Sequence, residues 1–375
     1  NTGKITLLTK QLSNTKLNKY LIVIYADVSK IANDAMDASF NGTVSADANQ
    51  GKAPYEGLAK LIANDTFKST KTATLNNVDY KYDDTHKLME DVAGNIRYYG
   101  ASPNNYIYFN CSDYSNQSSS TCETWRIIGV FDGKVKIMRG SSIGTYSWDN
   151  KDTTTGAETV FGKNDWTDAR LMKLLNPGYE SETTGGSLYY NAKSGNCYSG
   201  RSNATTSCDF TSTGIKNNTT RNLIAETTYY TRGHSSSGIY VDAMYDKERV
   251  SGTVYSDYAT SWTGKIAIPY ASDYGYAADL SLCQKTLNNY NNATCTANNW
   301  MKNIVTNNGG NDGWLLIPIS DSANLAWGVS SSGRVISGSY YAYGANGVAP
   351  VLSLISELDI GSGTGKSNSP YQLSV

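Results

Sequence analysis

The sequence predicts an α+β domain, and three observations carry that prediction. From about residue 95 onward, short apolar runs alternate with polar residues, the period of strands that bury one face. A few short segments with helical spacing lie among those runs, and long irregular loops separate them. The length of 375 residues suits about two units at the usual ~100–200 residues each.

Taken in order, residues 16–39 predict a helix, with Leu17, Leu21, Ile24, Val28, Ile31, Ala35 and Ala38 in one apolar stripe. Asn14 or Thr15 would cap its start and Asn41-Gly42 would end it. Such a stripe either drives oligomerisation as a stalk or filament, or packs on its own domain. A second helix is expected at 53–64, with Pro54 near its start and a polar connector after it. Segment 104–110 alternates as a strand, and 125–140 predicts a hairpin around Asp132-Gly133, a dipeptide suited to a type I′ turn. Residues 164–176 predict a short helix with Trp166, Leu171, Leu174 and Leu175 inward, and 219–227 a second one. Strands are expected at 265–270 and 314–318, with a turn or short helix at 272–279. Two further apolar runs, 326–337 and 347–354, flank a tip rich in Tyr and Gly, and the tail at 361–373 is either flexible or a final edge strand. The expected organisation is a helical stalk or connector over 1–94, a main domain over 95–360 and a tail over 361–375.

Charged residues make up only 17% of the chain and the formal net charge is −1, which excludes an electrostatic footprint for nucleic acid or anionic lipid. The surface must therefore be solvated by Ser, Thr, Asn, Gly and Tyr. Tyr supplies 29 residues, a side chain that favours strands and also favours binding surfaces. The only histidines, His86 and His234, leave little for metal centres or imidazole catalysis.

The cysteines fall in three local pairs, Cys111 with Cys122, Cys197 with Cys208, and Cys283 with Cys295, each enclosing a polar loop of similar length. No pair has zinc-site spacing, so no metal is expected. Nearest-neighbour disulfides are the economical pairing, each constraining the unfolded chain by roughly 3 kcal/mol. Such bonds persist in an oxidising compartment, so an extracellular or cell-surface protein is expected. A start at Asn1 rather than Met leads us to expect that an upstream segment has been removed. The longest apolar run, Leu21–Tyr25, is far short of the ~20 residues that span a bilayer.

The ordered blocks TWRIIGVFDGKVKIMRG, NDWTDARLMKLLN, TTRNLIAE, TGKIAIPYASDYGYA, WLLIPIS, AWGVSSSGRV and GVAPVL resemble a surface domain of secreted proteins from Firmicutes and gut bacteria. The resemblance implies a C-type-lectin-like fold over about 95–360. Its C-terminal arrangement is similar to the variable region of proteins diversified by adenine-mutating retroelements. That likeness would concentrate ligand-binding positions between Ser320 and Asn346. Asp321, Ser322, Ala323, Asn324, Ser330, Ser339, Tyr340, Tyr341, Tyr343 and Asn346 are all residue types reachable from an Asn codon by changing adenines. Two departures qualify the likeness. Ala349 stands where the family has Arg, and the calcium-binding signatures of sugar-binding C-type lectins are absent.

Catalytic readings are weak. His234 adjoins Ser235, Ser236 and Ser237, but GHSSSG is not a nucleophile elbow. Nothing in the sequence places Asp83 with Asp84, or Asp273 with Asp279, across a cleft as a glycosidase pair. Gly361, Gly363 and Gly365 before Lys366 sit in a terminal linker rather than a phosphate loop. The expectation is thus a non-enzymatic protein without cofactors that recognises a protein or glycan ligand. Its contacts would come from Asp321, Ser322, Asn324, Ser330, Ser339, Tyr340, Tyr341, Tyr343 and Asn346, with Trp314 and Trp327 holding the base of the tip in the core. The alternatives are a pilin-like filament subunit, a homo-oligomer assembled through 16–39, and, further off, a secreted glycan hydrolase.

Overall fold

Strands dominate the computed structural model, which describes residues 55–149, 161–179, 185–200 and 204–375. The helix expected at 16–39 lies outside the described residues. Helix α1 (Gly57–Lys60) runs on as a π-helical turn over Leu61–Thr66, close to the helix expected at 53–64. Next come β1 (Lys71–Leu75), β2 (Val78–Asp83), β3 (Leu88–Glu90) and β4 (Ile96–Tyr98), an antiparallel run. They are followed by β5 (Tyr106–Phe109), β6 (Glu123–Phe131) and β7 (Lys134–Arg139). The β6–β7 hairpin turns on Asp132 and Gly133, at φ +48° and +78°, as that dipeptide predicts.

After β8 (Thr145–Ser147), Trp166–Asp168 form a 3₁₀ turn and α2 (Arg170–Leu175) follows. Trp166, Leu171, Leu174 and Leu175 are all buried there, the inward face that their spacing predicts. Strands β9 (Ser194–Cys197) and β10 (Thr206–Asp209) form a small hairpin. The chain continues through α3 (Asn218–Leu223), β11 (Thr227–Tyr230), α4 (Val241–Asp246), β12 (Ser261–Gly264), β13 (Ile266–Ala267) and α5 (Ala271–Tyr276). Two short helices, α6 (Ala293–Ala297) and α7 (Lys302–Val305), precede β14 (Gly313–Pro318), β15 (Leu325–Val329), β16 (Val335–Tyr341), β17 (Ala345–Gly347) and β18 (Val351–Ser353). The tail closes as a hairpin of β19 (Asp359–Ser362) and β20 (Gln372–Ser374), with the Tyr371 amide donating to the Tyr106 carbonyl beside β5.

Two sheets organise these strands. The larger has nine, in the order β1-β2-β3-β4-β6-β7-β18-β13, with β5 also paired to β6. The smaller has the order β16-β15-β14-β17-β8. The larger sheet takes in β1, β2 and β3, which lie in the stretch expected as a connector, and continues past residue 95. Its first hairpin turns at Asn76-Asn77, both at positive φ, while Leu75, Tyr80 and Tyr82 go into the core. Pro54–Val375 form one compact unit, which includes the tail.

All three local disulfides are formed: Cys111–Cys122, Cys197–Cys208 and Cys283–Cys295. Trp125, Trp148, Trp314 and Trp327 are fully buried, and each indole N–H finds an acceptor. Among the described residues twelve tyrosines are buried as well, so much of the Tyr excess is core rather than binding surface. Among the described residues no helix is long and apolar enough to cross a membrane, and no His, Cys, Asp and Glu cluster could hold a metal ion.

One buried ionic cluster joins the larger sheet to its helices. Asp273 on α5 accepts from Arg97 Nη1 of β4 at 2.9 Å, from Lys136 of β7, and from the Tyr270 amide at 3.1 Å. Arg97 Nε reaches Asp91 at 2.5 Å, and Glu248 binds Arg249 and the Ser272 amide. Three cations thus face three carboxylates, and the Arg97 guanidinium stacks between Phe131 and Tyr276. Burial alone would raise the Asp273 pKa, but Lys136, Arg97 and Arg249 together hold it well below the usual carboxylate range. Burial also pushes Lys136 down to about 8, against the pull of Asp273.

Replacing Asp273 by Asn leaves Arg97 and Lys136 buried without their shared counter-charge, and should cost about 3–5 kcal/mol in urea unfolding at pH 7. In the wild-type protein the unfolded carboxyl takes up its proton first, near a pKa of about 3.9. The Asp273 contribution is therefore fully present above that value and fades as pH falls toward the depressed folded pKa. The wild-type advantage over Asp273→Asn should shrink accordingly between neutral pH and pH ~2–3.

Candidate functional site

The C-terminal tip is not a free loop. Residues 325–341 form a hairpin of β15 and β16, turned at 330–334 by the Ser330 amide donating to the Arg334 carbonyl. The register slips opposite Trp327, where Gly338 at φ +90° lets Ser337, Gly338 and Ser339 bulge outward. Beyond the bulge the strand alternation resumes, and successive tyrosines take opposite faces.

Tyr340 faces inward and is half-buried. Its ring meets Trp314 edge-on at 6.0 Å, and its hydroxyl donates to Asp312 Oδ2 at 2.9 Å. Burial first, then the Asp312 carboxylate, raises the pKa of that hydroxyl. Asp312 Oδ1 in turn accepts from the Ser331 amide at 2.7 Å, so Tyr340 braces the hairpin to its own turn. Tyr341 faces outward and is 42% exposed. Its ring lies nearly parallel to that of Tyr343, at 5.6 Å and 7°. Phe161 completes a three-ring cluster, 5.0 Å from Tyr341 and 5.9 Å from Tyr343.

Two chain segments fix this cluster. The Tyr343 amide donates to the Phe161 carbonyl at 3.1 Å. Gly162 sits at φ +73°, where any Cβ would lie 1.8 Å from the Asp149 carbonyl oxygen, so only glycine permits the approach. Two residues on, Asn164 Nδ2 donates to the carbonyls of Ile319, Ser322 and Leu325, and the Asn164 amide donates to Ala323. One asparagine therefore shapes the 319–325 loop. Within that loop Ser322 Oγ bonds both the Asn324 amide and Asn324 Oδ1, while Asp321 is exposed. The Ala342 amide donates to the Asn324 carbonyl at 2.8 Å, which sets the loop beside the two tyrosines.

The expected contact residues thus separate. Ser322, Asn324, Tyr341 and Tyr343 are brought together, with Asp321 on the same loop. Ser339 is exposed in the bulge. Ser330 lies in the turn, at the other end of the hairpin from the Leu325–Tyr341 pair. Tyr340 is a brace on the opposite face. Asn346 sits on β17 against Tyr146, two strands from β15, with its side-chain amide nitrogen buried and unbonded. Trp314 and Trp327 are in the core beneath.

Phe161 is not legible in the sequence, because a lone apolar pair before Gly162 carries no period. Tyr258 also reaches the 319–325 loop, its hydroxyl 3.4 Å from the Ala323 carbonyl. Burial and then Lys247 lower the pKa of His234, against an opposing influence of Asp321, and the His234 carbonyl accepts from the Trp327 indole at 2.9 Å. The surface therefore offers aromatic faces, hydroxyls and amides, a set suited to stacking and hydrogen bonding. Of the carboxylate pairs, Asp273 is engaged in the ionic cluster, Asp83 binds His86 and Asp84 binds Lys71.

Tyr341→Ala should change unfolding free energy by less than about 1 kcal/mol, because the residue is exposed and its ring meets only the neighbouring surface rings of Phe161 and Tyr343. Tyr340→Ala should cost about 2 kcal/mol or more, since it removes both the Trp314 contact and the Asp312 bond. Equal losses in chemical denaturation would contradict the separation of brace from surface.

Compared with known proteins, the chain matches no family model, no curated protein and no solved structure.

Proposed function

We propose that this chain is an extracellular recognition protein that binds a protein or glycan on another surface through the Phe161, Tyr341 and Tyr343 cluster. Ser322, Asn324 and Asp321 form the polar rim and orient the ligand by hydrogen bonds. The observation that carries the reading is the outward, near-parallel Tyr341–Tyr343 pair held between two braced loops. Large rings fixed in advance lose little entropy on binding, which is why such surfaces serve as contact anchors. Three disulfides in a chain of low charge fit a molecule that works in an oxidising environment.

The scaffold in this reading is C-type-lectin-like, and residues 320–346 are its variable region. Supporting that view, Asp321, Ser339 and Tyr341 are exposed while Ala326, Trp327, Val329 and Ala342 are buried between them. A retroelement could exchange the first group without disturbing the second. Attachment to a cell surface and adhesion complete the proposal.

The test is retention of the purified protein on immobilised glycans and on intact cells. A Tyr341→Ala, Tyr343→Ala double variant should weaken binding at least tenfold, about 1.4 kcal/mol, with its circular dichroism unchanged. Undiminished retention of that variant would remove the proposal.

A further inference from the structure

The larger sheet carries a second surface feature, apart from the aromatic cluster. An open cleft of about 380 Å³ is lined by Tyr106, Glu123, Thr124, Arg126, Arg139 and Ser141. Its volume lies within the roughly 300–1,000 Å³ of small-molecule sites. Arg139 and Glu123 neutralise each other, with Nε–Oε2 at 3.0 Å and Nη2–Oε1 at 3.3 Å. Arg126 has no such partner. Its guanidinium stacks on the Tyr106 ring at 3.8 Å and on Trp300 at 4.9 Å, and Nε donates to the neutral Asn105 Oδ1 at 2.6 Å. Nη2 is buried and bonds nothing, and no carboxylate offsets the charge.

A cation that is nine-tenths buried and unpaired is costly, and such groups call for an explanation. Burial lowers the Arg126 pKa only to about 10, so the charge persists at neutral pH. With the Arg139–Glu123 pair neutral, the wall carries one net positive charge. A monoanion balances it, and a planar carboxylate matches a guanidinium edge. The rest of the lining is Gly140 and three hydroxyl-bearing residues, Thr124, Ser141 and Tyr106. No aliphatic side chain is present to receive a peptide residue.

We propose that this cleft binds a carboxylate-bearing sugar unit, its carboxylate meeting Arg126 and its hydroxyls meeting Thr124 and Ser141. The site is independent of the Phe161, Tyr341 and Tyr343 surface and stands or falls separately.

The experiment is an amide NMR titration of the full chain with sodium glucuronate, glucose, glucose 6-sulfate and an acetylated dipeptide with a free C-terminus. Glucuronate should give saturable shifts at Thr124, Gly140 and Ser141, with a Kd at least tenfold below that of each other probe. Arg126→Gln should weaken glucuronate binding at least tenfold. Should that variant fail to fold, Thr124→Asp, at an exposed strand position, puts a repelling carboxylate in the cleft and should weaken it equally. The proposal is overturned by unsaturable glucuronate shifts, by glucose, sulfate or peptide binding as tightly, or by a folded Arg126→Gln or Thr124→Asp that binds as the wild type does.

Discussion

Asp273 joins elements that the chain brings from distant positions: β4 through Arg97, β7 through Lys136, and its own helix α5. In a chain with so few charges, gathering six of them at one dry junction is a strong constraint on packing. Each carboxylate there has at least one cation, and the aromatic faces of Phe131, Tyr270 and Tyr276 enclose the remainder. A misplaced helix would strand a charge in low dielectric, which costs far more than a lost apolar contact. The cluster thereby specifies one docking of helices on the sheet, and everything built beyond that sheet inherits the placement.

The rest of the core works through large rings and hydroxyls. Trp148, Trp300, Trp314 and Trp327 anchor to backbone carbonyls, and among the described residues twelve buried tyrosines fill the space that aliphatic residues take elsewhere. A polar exterior with little charge leaves solvation to Ser, Thr and Asn, while the disulfides restrain three long polar loops. Against this background the few outward rings stand apart. Tyr341 is exposed although Tyr340 beside it is braced, because one residue of strand alternation separates core from solvent.

Much of the local structure was legible in the sequence. Asp132-Gly133 announced its hairpin because few other dipeptides tolerate two positive φ values. The apolar spacing of 166–175 announced a helix, and three matched polar loops announced their disulfides. The strands over 71–98 were less visible, although Asn76-Asn77 and the alternation of Leu75, Tyr80 and Tyr82 were present, because Lys and Asp between them read as a connector. The ionic cluster was not legible at all: Arg97 and Asp273 are 176 residues apart, and only the fold makes them neighbours. The same holds for the site. The tyrosine-rich tip was visible, but its division into brace and surface depends on register, and Phe161 joins it from a segment without pattern. The lone charge of Arg126 likewise emerges only once Glu123 is seen to belong to Arg139.

A rigid, ion-pinned interior from which a few rings face outward is tested most directly by limited nitration of tyrosine followed by mass spectrometry. Tyr341 should react about as fast as Tyr230, which is equally exposed at 44%, while Tyr229, Tyr274 and Tyr276 remain unmodified. Protection of Tyr341, or reaction of Tyr274 and Tyr276 at the rate of Tyr230, would contradict it.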